Sequence, residues 1–150
     1  MKKTQLALIG LVLAMVFGMT NPAYAGRTLV LDVLADEAAF DIAFGDVLGG
    51  GAFYIPGVNY EAGTLNQIGT FHCWGWDVDG LGTSGVVVSQ EYNLDGRGKI
   101  QVQGVEDEGP RAVTGGTGQF RNVRGEMTGA DLSEFPKFTV TFKLIGAKKK

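Results

Sequence analysis

Glycine limits this chain more than any other feature. Twenty-four glycines are spread along it, and between them lie runs of about five to nine residues rich in Val, Thr, Phe and Tyr. An interior glycine costs a helix about 1 kcal/mol relative to alanine, so few helices of useful length fit between such breaks. Short strands joined by tight turns do fit, and the pattern predicts an all-β chain.

The clearest strand comes last. Phe138, Val140, Phe142 and Leu144 alternate with Thr139, Thr141, Lys143 and Ile145, an apolar face against a mostly polar one, and Pro136 marks its start. Lys99 to Gln103 alternates in the same way, and Asp95-Gly96-Arg97-Gly98 is a hairpin turn that joins it to Val86–Leu94. In Thr28 to Ala35 both faces are largely apolar, so the outer face calls for a cover such as a helix or a subunit contact. One stretch, Asp36 to Phe44 with Phe40 and Phe44 four residues apart, reads equally as a helix or as a loop entering a strand.

The N-terminus has the order of a secretory signal. Lys2 and Lys3 precede an apolar run from Leu6 to Met19, and Ala23-Tyr24-Ala25 stands before Gly26. That run is about 14 residues against the roughly 20 that a spanning helix needs. Residues 1–25 are therefore expected to be a cleaved signal peptide. Residues 26–150 would form one domain, secreted or periplasmic and without a membrane span.

Loss of Lys2 and Lys3 moves the net charge from −3 to about −5. The only basic run, Lys148 to Lys150, reads as a solvated tail, and the charge argues against nucleic acid as a partner. The single cysteine, Cys73, allows no internal disulfide, so the fold must stand on its core.

Three segments invite chemistry. Thr114-Gly115-Gly116-Thr117-Gly118 lacks the Gly-Lys-Ser/Thr of a nucleotide loop and reads as a tight glycine corner. Phe71-His72-Cys73-Trp74-Gly75-Trp76-Asp77 holds the only His, the only Cys and both Trp of the chain. On a strand His72 and Cys73 face opposite ways, which speaks against a shared metal and against a nucleophile pair. Phe71, Cys73 and Asp77 should share one face, and His72, Trp74 and Trp76 the other, with one set lining the interior. In the acidic run Glu106-Asp107-Glu108 before Gly109-Pro110, Glu106 is the candidate for an inward position, and Asp107 and Glu108 belong at a rim.

From Gly98-Lys99-Ile100-Gln101-Val102-Gln103-Gly104 through Ala112–Phe120 to Phe135-Pro136-Lys137-Phe138, Thr141-Phe142 and Leu144-Ile145-Gly146, the chain resembles the C-terminal half of the allene oxide cyclases. Gly116-Thr117-Gly118-Gln119-Phe120-Arg121 with Arg124-Gly125 is similar to the dirigent-protein signature. The resemblance implies a closed eight-stranded antiparallel β-barrel with an elongated apolar cavity, usually assembled as a homotrimer and working without cofactor or metal. Its ligand would be an apolar, fatty-acid-like small molecule whose cyclisation or isomerisation the barrel guides. Asp32 stands where the cyclases have an inward Glu, and Cys73 at their cysteine. Leu34 stands where they have Asn, and Glu106 where they have Tyr. Asp32, Cys73 and Glu106 are thus the candidate catalytic residues. The alternatives are a dirigent-like binding module without turnover, or an interaction module using Trp74 and Trp76 on an outer face.

Overall fold

The computed structural model describes residues 26–39, 51–77, 85–106, 109–129 and 135–146. The signal segment 1–25, Phe40 and Phe44, Asp107 and Glu108, and the basic tail lie outside them. Eight strands run in order: β1 (Arg27–Ala35), β2 (Ala52–Glu61), β3 (Gln67–Asp77), β4 (Val86–Leu94), β5 (Gly98–Val105), β6 (Arg111–Gly116), β7 (Arg124–Gly129) and β8 (Lys137–Ile145). Each pairs antiparallel with its chain neighbours, and β1 closes on β8 from Arg27↔Leu144 to Leu34↔Lys137. The chain is an all-β, closed eight-stranded antiparallel barrel.

The expected strands form where the alternation placed them. The β4–β5 hairpin turns at Asp95–Arg97 with Leu94 opposite Gly98, and β8 follows Pro136 with Phe138, Val140, Phe142 and Leu144 buried. The stretch after β1 contains one short 3-10 turn, Glu37–Ala39, started by the Asp36 carboxylate accepting from the Ala38 N–H at 3.1 Å.

An eight-stranded barrel is just wide enough for side chains to fill it. Leu31 and Val33 from β1, Ile100 and Val102 from β5, Met127 from β7 and the four β8 residues meet in one core. Across it the rings of Phe138, Phe71, Tyr92 and Phe142 touch in series, with centroids 5.8, 5.1 and 4.9 Å apart. Tilted and edge-on aromatic contacts of this kind add about 0.5–1.5 kcal/mol each beyond the buried area.

The glycine corner closes one end. Gly118 adopts φ +58° at the start of a 3-10 turn, Gly118–Phe120, that inserts Phe120 into the core. A Cβ on Gly118 would lie 2.5 Å from the Arg97 carbonyl oxygen and 3.0 Å from the Gly98 Cα. Left-handed backbone and close approach to the β4–β5 turn thus both require glycine here. We expect Gly118→Ala to destabilise the barrel by about 2–4 kcal/mol in urea unfolding. Thr117→Ala, which removes a hydroxyl that accepts from the Lys99 N–H at 3.1 Å on the exposed side of the same corner, should cost about 1 kcal/mol.

Candidate functional site

The barrel's two ends differ. One carries the turns at 62–66, 95–97 and 117–123, and at the other β1, β3, β5 and β7 finish and β2, β4, β6 and β8 begin. Polar side chains enter the interior near this second end. Gln90 on β4 lies opposite Cys73 on β3, and both side chains point inward because they share parity with Tyr92 and Phe71. Arg111, the first residue of β6, shares parity with Val113 and is only 4% exposed.

These groups form one network. The Tyr92 hydroxyl donates to Gln90 Oε1 at 3.2 Å, and Arg111 Nη1 donates to the same oxygen at 3.3 Å. Gln90 Nε2 donates to Cys73 Sγ at 3.7 Å. Arg111 Nη2 donates to the Glu106 carbonyl at 2.7 Å and lies 3.9 Å from the Glu106 carboxylate. Gly104 on β5 leaves room for the arginine stem: a Cβ there would stand 3.0 Å from Arg111 Cγ. Burial, reinforced by the Glu106 charge, pushes the Cys73 thiol up to about 12, so it stays protonated and acts as a small hydrogen-bond acceptor. Burial likewise pushes the Tyr92 hydroxyl up.

A cavity of about 30 Å³ adjoins this network. Cys73, Gln90, Glu106 and Arg111 form its polar wall, and Ala35, Ile55, Phe71, Phe135 and Phe138 its apolar wall. That volume takes one water-sized group, not a fatty acyl chain. Among the described residues the elongated interior implied by the resemblance is replaced by packed rings and aliphatic side chains. Two larger concavities, of about 460 and 490 Å³, lie outside the barrel. Lys143 and Glu126 in the first pair with each other at 2.9 Å, and the second is mostly aliphatic.

Of the three residues singled out from the sequence, two come together here and one does not. Cys73 and Glu106 share the cavity. Asp32 belongs to the opposite face of β1: Leu31, Val33 and Ala35 enter the core, whereas Val30 and Leu34, which share its parity, are exposed. Its expected inward position is therefore corrected to an outward one. There its two oxygens accept from the Thr139 hydroxyl at 2.7 Å and the Gly63 N–H at 2.8 Å. These bonds fasten β1 to β8 and to the β2–β3 turn. Arg111 and Gln90 were missed, because a charged or amide residue in a strand ordinarily reads as solvent-facing. Their parity with Val113 and Val88 was the available signal.

His72 and Cys73 lie on opposite faces, as the strand geometry requires. Outside, the Tyr54 hydroxyl and His72 Nδ1 are 2.6 Å apart, and the rings of Tyr54, His72 and Trp74 pack 5.6–5.9 Å apart. Trp74 and Trp76 are 44% and 38% exposed.

The Thr139 and Gly63 bonds hold the Asp32 carboxyl below the usual carboxylate range. A depressed native pKa contributes stability above the unfolded value of about 3.9, and that contribution is lost as pH falls through the native value. Asp32→Asn should therefore cost about 1–2 kcal/mol at pH 7, and the gap between variant and parent in denaturant midpoint should shrink as pH is lowered below about 4.

Neither a protein-family model nor a curated protein matches the chain. Among solved structures, a protein described as pyocyanin demethylase superposes with a TM-score of 0.62 at 21% sequence identity, covering 79% of this chain and 99% of that one. At that identity the likeness establishes a shared fold: this chain is built on the same small β-barrel as that enzyme.

Proposed function

We propose that the barrel is an exported small-molecule-binding module whose ligand seats its polar end against Cys73, Gln90, Glu106 and Arg111. The observation that carries this reading is the connected network of buried polar side chains gathered at one end of the interior, apart from the single buried amide Asn59, whose Nδ2 donates to the Thr70 and Asn93 carbonyls toward the other end. Buried polar groups cost stability unless matched, and a packed barrel has no structural need of them. Ile55 and Phe135, on the apolar wall, are only partly covered and offer a surface for the rest of the ligand. That a barrel of the same shape is named for acting on pyocyanin supports the use of this fold for small molecules.

The chemistry open to such a site without a cofactor is proton transfer and charge stabilisation. The Glu106 carboxylate would serve as acid or base and the Arg111 guanidinium would stabilise a developing oxyanion, which suits an intramolecular cyclisation or isomerisation. Native mass spectrometry of protein purified without detergent should show one apolar molecule per barrel, and Ile55→Trp, which fills the mouth, should abolish that adduct. An empty barrel in the unsubstituted protein would remove this reading.

A second reading rests on the outer face. Val30, Leu34, Trp74, Trp76 and Val87 are all exposed on β1, β3 and β4, more large apolar surface than an isolated barrel gains from. Self-association, as a homotrimer by the resemblance, would cover it. Acrylamide should then quench tryptophan emission poorly in the assembled protein and strongly after dilution to monomers. Equal, strong quenching at all concentrations would place both rings in solvent and end this reading.

A further inference from the structure

Basic side chains gather at the end of the barrel that carries the turns at 95–97 and 117–123. Arg27 opens β1 opposite Leu144, and Arg124 opens β7 opposite Ile145. Arg97 lies in the β4–β5 turn with its guanidinium carbon 5.4 Å from the centre of the Phe120 ring, and Arg121 follows Phe120 directly. Arg121 and Arg124 are exposed, and Arg27 and Arg97 are half-buried. Among the described residues none of these arginines is in an ion pair, whereas Lys99 and Lys143 are matched by Glu91 and Glu126. Asp95 and Glu61 are the acids of this rim outside such pairs. Burial, and after it the Arg27 charge, lower the Arg97 guanidinium, and its buried Nη2 has no hydrogen-bond partner among the described residues. Like charges held together in this way repel, and an anion brought to them from outside lowers that cost.

The basic run of the sequence joins them. β8 ends at Ile145, and Gly146 lies beside Asn122: a Cβ on Gly146 would stand 3.2 Å from the Asn122 carbonyl oxygen. Ala147-Lys148-Lys149-Lys150 follow, and such a stretch reaches at most about 14 Å. Its three charges therefore stay near Arg121 and Arg124. The opposite end carries acids, with Asp36 and Glu37 after β1, Asp77 at the end of β3 and Glu106 after β5. In a chain of net charge −3, charge is thus polarised along the barrel.

We propose that this basic end is a docking surface for an anionic lipid bilayer, with Arg27, Arg97, Arg121, Arg124 and the lysines at 148–150 set against its headgroup phosphates. Cations from several separate segments, spread round a rim, match a plane of charge better than they match one small anion. Basic clusters of about this size attract anionic bilayers, and each charge near the surface strengthens binding by roughly fivefold. The acids at the far end repel the same surface, so docking orients the barrel with its Arg111 end toward water. This surface is distinct from the interior and does not depend on the small-molecule reading.

The test is flotation of the purified protein with vesicles of phosphatidylcholine alone or of phosphatidylcholine and phosphatidylglycerol in equal parts. At about 0.1 M salt, where charges act over about 10 Å, the protein should float with the mixed vesicles and not with the neutral ones. At about 1 M salt, where that range falls to about 3 Å, it should be released. Replacing the basic run by Lys148→Ser, Lys149→Ser and Lys150→Ser, beyond the last strand, should weaken binding by roughly a hundredfold. Arg121→Glu should weaken it further. Lys137→Glu makes the same charge change on an exposed residue at the opposite end and should leave flotation nearly unchanged. Equal flotation with neutral vesicles, or no flotation with either, would overturn the proposal. So would equal weakening by Lys137→Glu and Arg121→Glu, which would assign the effect to net charge rather than to this end. Release by inorganic phosphate at constant ionic strength would mean a discrete anion site and would likewise overturn the bilayer surface.

Discussion

Everything in this molecule hangs on the seam between the first strand and the last. The pairing of β1 with β8 runs the length of both strands and turns an open meander, with two unpaired edges, into a cylinder with none. The chain has no disulfide to hold that closure. Hydrogen bonds and packing must do so, and the seam is reinforced from both sides. Inside, Leu31 and Val33 meet Val140 and Phe138. Outside, Asp32 reaches its register partner Thr139 and the turn at Gly63. A carboxylate that the family resemblance cast as a reactive group is thus a fastener, placed where the two ends of the sequence join.

Because closure fixes the diameter, the interior has little latitude. Eight strands leave an interior just wide enough for side chains to fill, and the Phe138–Phe71–Tyr92–Phe142 series fills it along β8. The polar network therefore sits at an end, where β6 begins and β5 gives way to Glu106. Tyr92 links the two zones: its ring belongs to the aromatic series, and its hydroxyl belongs to Gln90. The interior is graded, from mostly apolar beneath Phe120, with Asn59 the one buried polar side chain there among the described residues, to a hydrogen-bonded cluster beside Arg111.

Much of this was legible from residue order alone, and the reasons are particular. β8 and the β4–β5 hairpin alternate cleanly because one face of each meets the core and the other meets water. The division of β3 into two faces followed from the same period, but which face turns inward did not; the structure puts Cys73 inside and the tryptophans outside. β2 was not legible: Pro56 and Gly57 interrupt it, and only tertiary pairing with β3 and β1 holds it extended. The candidate site was legible by half. Cys73 and Glu106 reached it, while Asp32 did not, although Leu31, Val33 and Ala35 formed the more apolar face of β1. Arg111 and Gln90 stayed hidden because hydropathy scores a side chain by its type, whereas closure buries it by its position.

Gly104 and Arg111 face one another across neighbouring strands, and a β-carbon on Gly104 would stand 3.0 Å from the arginine Cγ and 3.3 Å from its Cα, so the stem would have to shift. The two positions therefore constitute one heritable trait. A lineage that gives up the arginine removes the crowding at 104, while one that first gains a β-carbon at 104 can keep the arginine only by shifting its stem. Change at either position is thus felt at the other, and the order in which the two change sets how far the arginine has to move.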